Sequence, residues 1–292
     1  MSGPGDRGPI VVGVDPEPAH RTALAWAADE ADRRHLPLRA VHVEGVPTRG
    51  YRGREVPPSW EEWNESLHKT GRRVLEEATE FVALRQPGLE IESLLAEGDP
   101  VWVLREQSRD ATAVVLGTRR PGRGQEVFGS ASVALPVMAH TECPLVVVPE
   151  PAHVAQEPAH FVVGVDGSER SGAAVDVAFE EAALHGAALW ALLVWEPGPL
   201  RVFDEHEPQE EHRRLLSEIV AGRHARYPEV ELRQEVRVGH PVQVLAEASA
   251  RALGLVVGTR GRGGFTGMLL GSVSQGVLHH ADCPVIAVPT RG

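Results

Sequence analysis

The sequence repeats itself once along its length. The segment PIVVGVDPEPAHRTAL at 9–24 recurs as HFVVGVDGSERSGAAV at 160–175, and AVVLGTRR at 113–120 recurs as GLVVGTRG at 254–261. These echoes keep the same order at an offset of roughly 140–150 residues, which is too long for a solenoid repeat and matches one whole domain. We therefore interpret the chain as a tandem duplication. Features common to both halves reflect the fold, and differences between them indicate function that was lost or moved.

Length and composition narrow the class of protein. The 292 residues suffice for two domains, which we place at 1–150 and 151–292. The formal net charge of -12 argues against nucleic acid or an anionic membrane as a partner. No apolar run approaches the roughly 18 residues that a membrane span needs, and the chain opens with no signal-peptide-like stretch. We expect a cytoplasmic protein.

Cysteine and histidine give no catalytic or metal-binding pattern. The two cysteines, Cys143 and Cys283, occupy the same repeat position and are each followed by proline. A buried residue that opens a strand explains them better than a disulfide or a metal ligand. None of the 14 histidines is joined by a cysteine or carboxylate at metal-ligand spacing. We therefore predict no metal site and no catalytic residue.

Apolar runs alternate with helical patterns in both halves. IVVGV at 10–14 is typical of a strand buried on both faces, and a helix is predicted from about Pro18 to His35. A second, heavily charged helix is predicted from Trp60 to Arg85. Such alternation indicates parallel βαβ units, so each half should be a doubly wound α/β domain. The strongly apolar fifth strands, in PLVVVP and PVIAVP, are the edges expected to pair with another strand.

A glycine-rich segment, GTRGRGGFTGMLLGSVS, follows the fourth strand of the second half. Its glycines let the backbone approach a ligand, and successive N–H groups in such a loop can bind an anion. Ser272 opens a predicted helix whose N-terminus favours phosphate. Ser272 and Ser274 offer hydroxyl donors, and Arg260 and Arg262 add positive charge. On its own, the segment fits a phosphate loop and a plain flexible loop equally well.

An aspartate ends the first strand of each half, at Asp15 and Asp166. In doubly wound sheets, ligands bind at the carboxyl ends of the strands where the strand order reverses. An aspartate at that place could accept hydrogen bonds from a ribose hydroxyl or an adenine amino group. It could equally cap the helix that follows. The recurrence favours a shared role without choosing between the two.

Taken together, these features resemble the universal stress protein family in its two-domain tandem form. The resemblance extends over the chain apart from its first eight residues and the linker at 150–160. It is carried by VVGVDGS at 162–168, by CPVIAV at 283–288, and by the spacing Gly258, two residues, Gly261, nine residues, Gly271-Ser272.

The resemblance implies a five-stranded parallel sheet with four helices in each domain. It also implies ATP or a related adenine nucleotide as the ligand, bound with or without Mg²⁺, and a homodimer. Asp166 and Val194 would contact the adenosine moiety. The ribose and phosphates would be held by Gly258, Arg260, Gly261, Arg262, Gly263, Gly264, Gly271, Ser272, Val273 and Ser274.

The first half departs from the family motif. Arg120 stands where the second motif glycine belongs, Pro121 stiffens the loop, and the spacer is one residue short or one long, depending on the alignment. We therefore expect the first site to be weaker or altered. Its candidate residues are Gly13, Asp15, Gly117, Gly122, Gly124, Ser130 and Ser132.

The function expected is adenine-nucleotide binding without catalysis, in which the nucleotide regulates conformation or partner contacts during a stress response. The alternative is a slow ATP-hydrolysing or nucleotidyl-transferring enzyme on the same fold. Against that alternative, the sequence has no G-x-x-x-x-G-K-[ST] loop and no evident carboxylate pair for a metal beside the phosphate loop. A structural dimerisation module that has lost nucleotide is a third possibility. The intact second motif argues against it, and the broken first motif leaves it open for the first half.

Overall fold

The computed structural model describes residues 8–16, 21–44, 60–119, 131–150, 155, 157–168, 171–196, 206–261 and 270–290. Contacts divide the chain into two compact units. The first comprises Met1–Val137 with Thr141–Cys143, and the second comprises Met138–His140 with Pro144–Gly292. Among the described residues, no helix combines the length and apolar character that crossing a bilayer requires.

The first unit alternates strands and helices as predicted. Its elements are β1 (Ile10–Gly13), α1 (Arg21–Arg34), β2 (Leu38–Glu44), α2 (Trp60–Arg85), β3 (Ile91–Glu97), α3 (Pro100–Gln107), β4 (Ala113–Arg119) and α4 (Ala131–His140). The strands lie in the order β3-β2-β1-β4, and the pairs of β1 with β2, β1 with β4 and β2 with β3 are parallel. The order reverses beside β1, which is where a ligand is expected in such a sheet.

The second unit repeats this order of elements. They are β5 (Leu145–Glu150), β6 (His160–Val165), α5 (Ser171–His185), β7 (Ala188–Trp195), α6 (His206–His224), β8 (Leu232–Val238), α7 (Pro241–Ser249), β9 (Gly254–Gly258), α8 (Ser272–His280) and β10 (Val285–Val288). Its strands lie in the order β5-β10-β9-β6-β7-β8. Beside β6 the order reverses in the same way as beside β1. The predicted α/β class, with mostly parallel strands flanked by helices, is confirmed.

The two fifth strands, β5 and β10, form an antiparallel pair. β5 pairs with β10 antiparallel, with Val147 opposite Val285 and Val146 opposite Ile286, and its contacts group it with the second unit. The prediction that the apolar fifth strands would pair is therefore confirmed, and this antiparallel pair makes an otherwise mostly parallel sheet mixed. The first five residues of β5 are buried. Without its partner, β5 would be an exposed apolar edge strand, which is prone to aggregation.

Small side chains let the helices pack closely on the strands. The buried face of α1 carries Ala23, Ala27, Ala28 and Ala31, and α5 buries alanines at equivalent spacing. In the second unit, α7 and α8 cover one side of the sheet with Val242, Leu245 and Val277 in a common apolar core. This core packs α8 against α7.

Both cysteines are free and buried, which confirms that they are core residues rather than a disulfide. Burial away from water raises the pKa of the Cys143 thiol to about 11 and that of Cys283 to about 12. The folded protein therefore keeps both thiols protonated at pH values where an exposed cysteine would ionise.

We predict that these thiols make the fold less stable in alkali. Because their folded pKa values are raised, their contribution to stability is complete below the unfolded value of about 8.5 and is lost as pH rises above it. Guanidinium unfolding at pH 7.5 and pH 10 measures the loss. The Cys143→Ala, Cys283→Ala double variant should lose less stability over this interval than the parent, and an equal loss in both would contradict the assignment.

Candidate functional site

A cavity of about 360 Å³ opens in the second unit where the strand order reverses. Its walls are the carboxyl ends of β6, β7 and β9, together with the first turn of α8. The volume falls within the usual range of small-molecule pockets. The position agrees with the rule that doubly wound sheets bind ligands at this crevice.

The structure brings together most of the residues predicted for the second site. Those that line the cavity are Asp166, Val194, Gly258, Arg260, Gly261, Gly271, Ser272, Val273 and Ser274. The remaining three, Arg262, Gly263 and Gly264, lie outside the described residues. The fold thus brings strand ends and a helix start, which are distant in the chain, together around one cavity.

The first turn of α8 presents backbone N–H groups to the cavity. Gly271 has the extended backbone of an N-cap residue, and the first helical hydrogen bond runs from the Gln275 N–H to the Gly271 carbonyl. The N–H groups of Ser272, Val273 and Ser274 therefore have no partner within the helix. This arrangement, with the helix dipole behind it, suits a negatively charged group.

The two serines of this turn differ in what their hydroxyls do. Ser272 is exposed at the cavity. Ser274 is buried, and its hydroxyl lies within hydrogen-bonding distance of two carbonyl oxygens, at 3.1 Å from Thr259 and 3.0 Å from Gly271. Both serines line the cavity, and the role of their hydroxyls as ligand donors stays a prediction. The Ser274 hydroxyl also ties the start of α8 to the segment after β9.

Asp166 and Gly261 lie against each other across the cavity. One carboxylate oxygen of Asp166 accepts hydrogen bonds from the Ser168 N–H at 2.9 Å and the Ser168 hydroxyl at 2.7 Å. A Cβ placed on Gly261 would overlap the other oxygen, Oδ2. A side chain at 261 would therefore force the Asp166 carboxylate to shift.

The apolar wall of the cavity is the part that sequence reasoning missed. Leu192, Leu245, Val257 and Leu270 line it, and each is buried. In the sequence they are indistinguishable from other core positions of strands and helices. Only the packing of α7 on the sheet shows that these side chains border a cavity, where they could cover the flat face of a base.

The first unit holds a cavity of about 330 Å³ in the corresponding place. Gly13, Asp15 and Gly117 line it as predicted. Ser132 belongs to α4, whereas Arg120, Gly122, Gly124 and Ser130 lie outside the described residues.

Two polar side chains of β2, His42 and Glu44, also line this first cavity. The His42 ring donates from Nδ1 to the Val14 carbonyl at 2.7 Å. The corresponding strand of the second unit contributes Leu192 and Val194 to its cavity. The two cavities therefore differ in chemistry as well as in their loops.

Comparison with known proteins identifies the same family over both halves. The model of the universal stress protein family matches residues 7–149 and again residues 159–289. A universal stress protein of Mycobacterium bovis and one of Mycobacterium tuberculosis are each 37% identical to the chain over 296 residues, covering 98% of this chain and 98% of their own. A second protein of that name from Mycobacterium tuberculosis is 34% identical over 289 residues and covers 95% of both chains.

A solved structure of full length shows the same fold. A universal stress protein from Archaeoglobus fulgidus superposes with a TM-score of 0.72 at 17% identity, and the match covers 97% of each chain. A universal stress protein solved in complex with cAMP matches 46% of this chain and 98% of its own, at 29% identity and a TM-score of 0.37. The double match of the family model and the full-length relatives agree, and the chain belongs to the universal stress protein family, with two family domains in tandem.

Proposed function

We propose that the second unit binds ATP or a closely related adenine nucleotide and does not turn it over. The observation that carries this proposal is the meeting of three features around one cavity: the Asp166 carboxylate, the glycine backbone at Gly258 and Gly261, and the first turn of α8. The helix start suits phosphates, and the apolar wall suits a base.

Binding would act as a regulatory signal. The ligand would contact the end of β6, the segment after β9 and the start of α8 at once, so it would favour the arrangement in which these elements are held together. We propose that this stabilised arrangement controls a contact with a partner or with a second copy of the chain. The first cavity, with its altered loop and its polar β2 side chains, would bind the same nucleotide more weakly or take a different ligand.

The absence of turnover is supported by the charges around the cavity. Among its described lining residues, Asp166 supplies the acidic group and Arg260 the basic one. A phosphoryl-transfer site needs carboxylates that hold Mg²⁺ and groups that position the attacking nucleophile. We assign Asp166, at the end of β6, to the nucleoside side of the ligand, where it does not hold a metal at the phosphates.

Extraction of the purified protein tests the proposal. The native chain is denatured, and the released small molecules are separated by chromatography and quantified per chain. ATP as the recovered nucleotide would support binding without turnover. ADP or AMP would favour an enzyme, and the lack of any nucleotide, together with no ATP binding by calorimetry, would leave a structural module.

We further predict that ATP stays largely intact over hours when it is incubated with the protein and Mg²⁺. The reason is that no described lining residue beyond Asp166 offers a carboxylate for the metal. The measurement is the release of phosphate against a protein-free control. Hydrolysis that is stoichiometric or faster, and that disappears when Gly271 is replaced, would show that the chain is an enzyme.

A further inference from the structure

Three side chains that are distant in the sequence converge at one edge of the first unit. Glu44 ends β2, Glu97 ends β3, and His68 lies on α2. The His68 Nδ1 contacts a carboxylate oxygen of Glu44, and its Nε2 lies 3.3 Å from Oε1 of Glu97. One ligand atom from each of the three residues lies within 4.8 Å of the other two.

The two glutamates are neighbours by the register of the sheet. Glu44 is paired with Glu97 in the parallel β2–β3 ladder, so both side chains leave the sheet at the same level. Like charges side by side on one face of a sheet repel each other. A positive charge between the two carboxylates would offset this repulsion.

The repulsion is least screened by water at Glu44, because its side chain is only 4% exposed. Among the described residues, none gives either of its carboxylate oxygens a hydrogen bond, and the Nδ1 atom of His68 is likewise without one. The imidazole nitrogen therefore touches the carboxylate without the alignment of a hydrogen bond. A buried carboxylate without hydrogen bonds is costly unless a cation compensates it.

We propose that Glu44, His68 and Glu97 bind a divalent transition-metal ion of the Zn²⁺ type. One imidazole and two carboxylates form a ligand set that suits Zn²⁺, with bonds of about 2.0–2.2 Å. Ligand atoms in a tetrahedral site are then roughly 3.2–3.6 Å apart. The ligand atoms, which lie within 4.8 Å of one another, would draw together around the ion, with one ring nitrogen of His68 bound to it.

The fold does not demand this cluster. In the second unit, the last register pair of the β7–β8 ladder is Trp195 with Val238, and neither side chain carries a charge. The carboxylates are therefore a feature of the first unit alone. Since Glu44 also lines the first cavity, an ion with three protein ligands would keep its fourth position for water or for a ligand in that cavity.

This inference revises the expectation of no metal site. That expectation rested on sequence spacing, and the three ligands are separated by 24 and 29 residues, since 68 − 44 = 24 and 97 − 68 = 29. Such separations carry no recognisable metal motif. The ends of two adjacent parallel strands and a helix packed over them bring the ligands together.

The experiment is metal titration of the full chain after EDTA treatment and dialysis. Zn²⁺ binding is measured by calorimetry, and Co²⁺ binding by the visible absorption of the bound ion. We expect about one ion per chain and a thermal unfolding temperature that Zn²⁺ raises. His68→Ala should weaken the affinity by at least about a hundredfold and abolish the Co²⁺ absorption band.

Glu97→Gln and His280→Ala are the companion variants. The Glu97 side chain is 70% exposed, so its amide replacement keeps the fold while it removes a charged ligand, and it should also weaken binding. His280 is exposed at the end of α8, and its loss should change nothing. The proposal is overturned if the parent protein takes up no stoichiometric ion, or if His68→Ala and His280→Ala bind alike.

Discussion

Replacing Gly261 by arginine is expected to weaken the binding of ATP to the second unit by at least about a hundredfold. The Cβ alone would overlap Oδ2 of Asp166, and the remaining side chain would enter the cavity that the phosphates are proposed to fill. The loss of two hydrogen bonds to charged phosphate, at about 1.5–3 kcal/mol each, accounts for the magnitude. Calorimetric titration of ATP into the purified variant measures the effect.

Two variants serve as controls for this result. Gly222 lies in α6, and a Cβ there has nothing within 4 Å, so Gly222→Arg adds the same side chain and charge without harm to the cavity. Arg120→Gly restores the motif glycine in the first half and should leave the affinity there unchanged or slightly higher. If Gly261→Arg retained full affinity while Arg120→Gly lost it, the first half would carry the functional site.

Replacing Gly276 by alanine is expected to destabilise the protein by about 1–2 kcal/mol, despite alanine's higher helix propensity. Gly276 lies in the middle of α8, where a Cβ would come within 2.5 Å of Val242 Cγ2 and 2.9 Å of Val242 Cγ1 on α7. Either the valine leaves its place in the core or α8 moves outward. Since α8 begins with the proposed phosphate-binding turn, nucleotide affinity should fall as well. Denaturant unfolding and calorimetry measure the two effects.

The same substitution at Gly222 is the matched control. This glycine is also helical, but a Cβ there meets open space, so Gly222→Ala should stabilise the protein by up to about 1 kcal/mol through helix propensity alone. Opposite signs at the two positions are the expected outcome. Equal destabilisation at both would mean that the close packing of α7 on α8 is not the cause.

The sequence was sufficient to predict the layout of each half because strand and helix periodicities alternate so regularly. The charged helix from Trp60 to Arg85 has the predicted bounds. The helix predicted from 18 to 35 spans Arg21–Arg34 within the described residues. The antiparallel pairing of β5 with β10 was beyond reach, because an apolar run shows that a strand is buried but not the direction of its partner.

The candidate site was predictable where a local backbone motif defines it, and not where packing does. Glycine spacing and a helix start placed Gly258, Gly261 and Gly271 at one cavity. The hydroxyl of Ser274 could not be assigned from its position, since its burial against the Thr259 carbonyl depends on how α8 returns to the sheet. Glu44, His68 and Glu97 were missed because only sheet register and helix packing make them neighbours.

Hydrogen exchange with and without ATP decides whether the second unit holds the nucleotide site, because it reports where the nucleotide acts on the chain. We predict ATP-dependent protection of the backbone amides at Thr259–Gly261 and in the first turn of α8 from Ser272, with weaker protection near Gly13 and Gly117 in the first unit. Saturating ATP that left the second-unit amides unprotected, or that protected the first unit alone, would contradict the assignment of the nucleotide site.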